Sequence, residues 1–276
     1  MIEYIKANGE RSFWIAVGVS LAVKFVLAAW IPMTSDEAYF ALWGRYPDYG
    51  YYDHPPMVGF VLWFMQLFGS SEAVVRLPPI IFSTLIGVLI FYCFRALDEK
   101  KAALIALLFI LSPLNMLNVL ITTDAPLLIC SFLSALFLYK ALRTDSYLSY
   151  ILSGVMLGAA FLSKYFAVLL AFSFFVYWLC SRKTKHNTIG LGILFLAATP
   201  FVAMNVYWNY THCLNNVMFN LFNRNANEEF SLLKPLAFIA CQIYLLTPPF
   251  VYYIFKKRAA LASSLSLSLG GEARSA

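Results

Sequence analysis

Residues 13–31, FWIAVGVSLAVKFVLAAWI, lead almost directly into residues 34–56, TSDEAYFALWGRYPDYGYYDHPP. The first stretch is apolar for long enough to cross ~30 Å of hydrocarbon as a helix. The second is a polar, aromatic loop with adjacent carboxylates, Asp36 and Glu37, and a further acid beside an imidazole, Asp53 and His54. A membrane anchor running at once into acid and base groups points to chemistry at a membrane surface.

Composition extends that reading to the whole chain. Of 276 residues, 61% are hydrophobic and 12% charged, against roughly 25% charged in soluble domains. One core cannot hide so much apolar side chain, and a soluble fold is excluded. Amides inside hydrocarbon find no water, so the apolar runs must be helical; the alternating pattern of a transmembrane barrel is absent. The expected fold is an all-α polytopic membrane protein, a helical bundle with eight spans at 13–31, 77–94, 102–121, 125–139, 148–162, 165–180, 188–206 and 235–255. Segment 57–68, MVGFVLWFMQLF, is too short to cross and is predicted to lie in the interface as a juxtamembrane helix, within a first outer loop over 32–76. Residues 1–258 read as one transmembrane domain and 259–276 as a low-complexity tail. The first run exceeds a usual signal-peptide core of ~7–15 residues and reads as a retained anchor.

The net charge is +6. Its distribution sets orientation, because Lys and Arg collect on the cytoplasmic side. With the N-terminus cytoplasmic, that side holds Lys6, Arg11, Arg95, Lys100, Lys101, Lys140, Arg143, Arg182, Lys183, Lys185, Lys256, Lys257 and Arg258. The other side holds Arg45, Arg76, Lys164, Arg224 and Lys234. The bias requires 57–68 not to cross, since a crossing there would reverse every later loop. It also places Asp36, Glu37, Asp48, Asp53, His54, Asp124, Lys164, His212 and Arg224, from five separate stretches, on one face. Ionisable groups at membrane depth are costly and usually functional. No nucleic-acid module or basic aromatic stripe is present, so nucleic acid is not an expected partner. Five cysteines show no CxxC spacing, which argues against a disulfide framework or zinc site.

Each candidate also has a structural reading. Thr34 or Ser35 can cap a helix with Asp36 and Glu37 in its first turn, while a carboxylate there can also take a proton from an attacking hydroxyl. Asp53 can orient His54, or Pro55-Pro56 can simply make a turn. Protonated His54 would face a phosphate. Asp124, before Pro126, fits an N-cap. Lys164 interrupts an apolar stretch and either snorkels to the headgroups or binds phosphate as a point charge. The Asn- and aromatic-rich segment 207–234 suits hydrogen bonding and stacking against sugars. Asp36, Glu37 and Asp53 are the candidate ligands for a divalent cation, Mg²⁺ or Mn²⁺. A soluble nucleotide cradle, a zinc-protease helix and a nucleophile elbow are all missing.

S-D-E-A-Y-F-A-L-W at 35–43 and G-Y-Y-D-H-P-P-M at 50–57 resemble the first outer loop of bacterial GT-C glycosyltransferases. These are the family 39 and RgtA/B/C/D-like proteins, relatives of protein O-mannosyltransferases and lipid A aminoarabinose transferases. T-T-D-A-P at 122–126, L-S-K-Y at 162–165 and W-N-Y-T-H at 208–212 continue the resemblance in order. It implies a GT-C-type bundle and a sugar donor carried on polyprenyl phosphate, with transfer on the periplasmic or lumenal face. The family's first-loop acid maps to Asp36. Aminoarabinose transferases carry a Lys before the paired prolines, where this chain has His54, and an Arg where it has Ala38-Tyr39. Lys164, Arg224 and His54 are the cations left to meet a phosphate. Family members usually continue with further spans and a soluble domain, so C-terminal truncation is expected.

The expectation is therefore a multi-pass glycosyltransferase of the bacterial inner membrane. Asp36 is the catalytic residue, and Glu37, Tyr39, Tyr52, Asp53, His54, Asp124, Lys164, His212 and Arg224 bind substrate. The acceptor hydroxyl would belong to lipid A, a cell-surface glycan or a protein. A polar-lipid transporter, which would pair ionisable residues near mid-bilayer in pseudo-symmetric halves, and an inactive assembly partner are the alternatives.

Overall fold

The structure, a computed structural model, describes residues 9–96, 98–181, 183–226 and 231–245. Every regular element among them is helical. Two helices set the frame, α1 (Gly9–Trp30) and α4 (Glu72–Arg95). Glu10, in the first turn of α1, pairs with Arg95, in the last turn of α4, at 2.9 Å. Midway, the Lys24 ammonium donates to Ser83 Oγ at 2.7 Å. Near the far end, Arg76 of α4 donates to the carbonyls of Ala28 and Ile31. These pairs run in opposite order along the two helices, so α1 and α4 are antiparallel and traverse the same thickness.

The connection between them must therefore begin and finish at one end. It carries α2 (Ser35–Arg45) and α3 (Met57–Gln66). Ten residues rise only about 15 Å, so α3 does not cross, as its sequence predicts. A core of Phe40, Trp43, Val58, Leu62, Val75, Ile121 and Ala125 packs this connection against the start of α4 and the stretch around Ile121.

Asp98 accepts from the Lys101 N–H and caps α5 (Glu99–Ile110), whose first turns lie beside Gly9. The predicted span 102–121 is not one helix. Proline at 113 cannot offer an N–H to the Phe109 carbonyl, and the Asn115 amide donates there instead at 3.1 Å. The same Asn115 accepts from Lys24 at 2.8 Å, tying the break to α1. A single turn, α6 (Pro113–Met116), follows.

α7 (Asp124–Thr144) and α8 (Tyr147–Ser163) form an antiparallel hairpin around a left-handed Asp145. Ser134 and Ser153 bond each other's carbonyls at 2.9 and 2.8 Å, the kind of interhelical bond that holds helices in lipid. α9 (Ala167–Cys180) returns, and α10 (Lys185–Thr211) crosses again, lying against α8 so closely that a methyl at Gly154 would overlap the Leu194 carbonyl. α11 (Asn215–Leu221) and a 3-10 turn, Asn223–Asn225, complete this unit. Ser112–Leu114 and the described residues from Ser231 group as a second unit, whose helix is α12 (Leu233–Leu245).

Among the described residues four helices, α1, α4, α7 and α10, are long and apolar enough to cross a membrane, and shorter apolar helices accompany them. Only 28–39% of the most apolar stretch in each long helix is buried. The remainder, including Val26, Leu128 and Leu196, suits a lipid surround. The chain is an all-α polytopic membrane protein. Of the predicted eighth span, 246–255 lies outside the described residues, as does the tail 259–276.

Candidate active site

Thr34 caps α2: its Oγ1 accepts from the Glu37 N–H at 3.3 Å, and Glu37 Oε2 accepts from the Thr34 N–H at 3.0 Å. Behind this capping box stands Arg76. Its Nε and Nη2 donate to the two Glu37 oxygens at 2.8 and 2.7 Å. Its remaining bonds go to the carbonyls of Ala28, Ile31 and Pro32. A guanidinium has five N–H groups, and all five are used. The Glu37 side chain is 1% exposed. Burial pushes its carboxyl up, but the Arg76 bonds, the Thr34 bonds and the Arg76 charge outweigh that and hold it below the ordinary value. Glu37 thus anchors the start of α2, both its oxygens engaged by Arg76 and Thr34 and its side chain turned inward, where the sequence expectation had it facing substrate.

The same anchor presents Asp36. Its side chain is exposed and makes no hydrogen bond or ion pair with any described residue. Tyr39 follows one turn later on the same helical face and donates to Asp53 Oδ1 at 3.1 Å. Burial, then the Asp53 charge, push the Tyr39 phenol up to about 12, so it remains a donor at neutral pH. The loop between Arg45 and Met57 is held by Tyr51. Its ring stacks on Trp43 at 3.9 Å, and its hydroxyl lies 3.1 Å from the carbonyls of both Trp43 and Tyr46. A turn from the Tyr51 N–H to the His54 carbonyl sets Asp53 and His54 side by side.

Asp124 and Lys164 come together from the first turn of α7 and the end of α8, at 2.8 Å. α11 and the 3-10 turn bring Arg224 from a third direction. All of them act on His54. Its imidazole is held below the usual value, first by burial and then by Arg224 and Lys164, with Asp53 and Asp124 opposing. This setting favours the neutral imidazole in the absence of an anion, whereas the sequence expectation had a protonated ring facing a phosphate. His54 Nε2 and Asp53 Oδ2 stand 3.8 Å apart.

One hollow adjoins this cluster at Arg224, and a second shares Val168 with the first. An open cleft of about 580 Å³ is lined by Tyr165, Leu169, Asn220, Leu221 and Arg224 among others. An apolar cavity of about 290 Å³ lies between α8, α9 and α10, and Val168 lines both.

Tyr52 stands at the rim, its ring against Phe219 and its hydroxyl accepting from Asn223 at 3.3 Å. His212 does not join the cluster. Its ring stacks on Trp208 at 4.2 Å and its Nδ1 lies 2.8 Å from the Trp208 carbonyl, so it closes the end of α10. The metal expectation also fits poorly. Glu37 is consumed by Arg76, Asp53 is engaged by Tyr39, and no described group of three or more His, Cys, Asp or Glu is placed to hold an ion.

Sequence reasoning noted Arg76 only as a loop charge. The available signal was an arginine just ahead of Pro78-Pro79 in an apolar span, where such a group needs a carboxylate. It read the asparagines of α11 as groups for a sugar, whereas Asn216 and Asn220 donate to main-chain carbonyls of the outer loop.

No curated protein and no solved structure matches the chain. The model of the dolichyl-phosphate-mannose-protein mannosyltransferase family matches residues 53–208, which covers Asp53, His54, Asp124 and Lys164 and is more than half of the chain. The chain belongs to that family and is a membrane glycosyltransferase of the GT-C kind.

Proposed function

We propose that this enzyme moves a mannosyl or related glycosyl group from a polyprenyl-phosphate carrier to an acceptor hydroxyl on a lipid, glycan or protein. The observation that carries the reading is the meeting of Asp53–His54, Asp124–Lys164 and Arg224 at the end of the bundle that also presents Asp36. Asp36 takes the acceptor proton as general base. The acceptor oxygen bonds to the anomeric carbon, whose bond to the phosphate oxygen breaks with its electron pair leaving on the lipid phosphate. A single displacement of this kind inverts the anomeric centre.

Lys164 and Arg224 stabilise the departing phosphate. Lys164 is free to do so because its bond to Asp124 lies at the rim, with the Asp124 side chain 53% exposed; opening such a pair costs about 0–1 kcal/mol. His54 contributes a neutral N–H donor, and the charge of an arriving phosphate would raise its proton affinity. The prenyl chain occupies the apolar cavity beside α9. The basic bias of the opposite loops supports a periplasmic site, with the N-terminus cytoplasmic in a bacterial inner membrane.

The test is to incubate purified protein with a panel of polyprenyl-phosphate sugars and candidate acceptors, and to identify products by mass spectrometry. Transfer is expected from one donor and is lost in Asp36→Asn with membrane insertion intact. Undiminished transfer by Asp36→Asn would remove that residue from its role.

A further inference from the structure

α11 spends one face on the loop that bears the candidate site. Asn216 donates to the Tyr51 carbonyl at 2.7 Å, and Asn220 to the Asp53 carbonyl at 2.9 Å. Phe219 packs against the Tyr52 ring, and Asn223 reaches the Tyr52 hydroxyl. Positions 216, 219 and 220 lie on one side of α11, and Asn223 follows in the 3-10 turn. Four residues of helix advance about 6 Å, and the two asparagines, one turn apart, meet carbonyls two residues apart in the bent loop.

The helix is itself pinned. Its approach bends through left-handed Cys213 and Leu214, the Leu214 N–H donates to the Asn209 carbonyl at 2.8 Å, and Asn209 Oδ1 accepts from the Val217 N–H at 3.3 Å. Asn216 is fully buried. The second Nδ2 hydrogen of Asn220 goes to the Asn216 carbonyl at 2.9 Å, so that amide's donors are both used. The peptide group held by Asn220 is the one joining Asp53 to His54.

We propose that Asn216 and Asn220 are positioning residues, which hold the Asp53–His54 segment in register with Lys164 and Arg224 by donating to the Tyr51 and Asp53 carbonyls. Arg224 directly follows Asn223, so one short segment fixes the loop and delivers the cation to it. This deepens the reading of His54, Lys164 and Arg224 as a phosphate-binding set, and it rests on that reading for its functional meaning.

The experiment uses the full chain in lipid nanodiscs, with histidine isotopically labelled and the His54 imidazole followed by NMR against pH without substrate. The groups around it are Tyr39, Asp53, Asp124, Lys164 and Arg224. In Asn216→Ala and Asn220→Ala the loop loosens, His54 hydrates and draws away from the two cations, and its midpoint rises toward that of a free imidazole. Ser134→Ala, which weakens the α7–α8 contact elsewhere, should leave the midpoint in place. Turnover of a donor found active should fall roughly 5- to 10-fold for each amide lost, chiefly in kcat. If either alanine variant fails to insert, Asn223→Ala supplies the same readout with a smaller rise. An unchanged His54 midpoint in the inserted variants overturns the proposal even if transfer is demonstrated. A raised midpoint upholds the clamp even if no sugar donor is ever found.

Discussion

Replacing Arg76 with Met removes the guanidinium while keeping most of the apolar stem. Glu37 is then left buried without its partner. Breaking a buried pair in this way costs about 3–5 kcal/mol. Glu37 can escape part of that by taking up a proton, and protonating an ordinary carboxyl at pH 7 costs roughly 4 kcal/mol at most. The carbonyls of Ala28, Ile31 and Pro32 also lose their donor. Nearby interfacial water recovers some of that loss, leaving about 1–2 kcal/mol in total. The expected destabilisation is about 4–6 kcal/mol. Adding Glu37→Leu to Arg76→Met removes the stranded charge, so the double variant should be more stable than the single one by about 2–3 kcal/mol. Reversible unfolding in detergent measures both, with tryptophan fluorescence as the signal because Trp43 sits in the core beside the pair. Arg76→Met within about 1 kcal/mol of the parent, or a double variant that is simply the sum of the singles, refutes the reasoning.

Lys164→Ala should weaken donor binding about 10-fold or more, whereas Asp124→Asn frees Lys164 and should weaken it less; equilibrium binding of a labelled polyprenyl phosphate separates the two. Gly50→Ala forces a methyl into the Trp208 indole and should cost about 1–3 kcal/mol, read by the same unfolding assay. Acidification should loosen the outer loop in two steps. The folded His54 midpoint lies below its ordinary 6.5, so its contribution is present above about 6.5 and is lost as pH falls through the folded value. The Glu37 contribution follows the same sign lower down: it is present above the ordinary carboxylate range and is lost only as pH falls through its depressed value. Hydrogen exchange in residues 46–56 measures both, and His54→Gln should abolish the first step alone.

Helix positions were largely legible because lipid leaves the backbone one solution: apolar runs at 13–31, 125–139 and 188–206 return as α1, α7 and α10. The non-crossing of 57–68 followed from length and charge, and the antiparallel pairing of α1 and α4 bears it out. The 102–121 run misled because its hydropathy continues past Pro113, where the Asn115 amide takes over the Phe109 carbonyl and the helix breaks. For the site, Asp124 and Lys164 were legible as singular charges beside apolar runs. Glu37 and Arg76 were not separable from functional groups, since a carboxylate satisfied by a distant arginine looks the same in sequence as an available one. The α11 asparagines were hidden because their partners are main-chain carbonyls more than 160 residues away, and carbonyls carry no residue signature.

Whether the bond between sugar and lipid phosphate breaks at this site decides the account. Purified protein would be reconstituted with a polyprenyl phosphate carrying radiolabelled mannose, in the presence of an acceptor-bearing membrane extract. The expected result is free polyprenyl phosphate released in step with labelled acceptor, with both absent in Asp36→Asn. A labelled lipid that changes leaflets intact, with no polyprenyl phosphate formed, would contradict the account and identify a transporter.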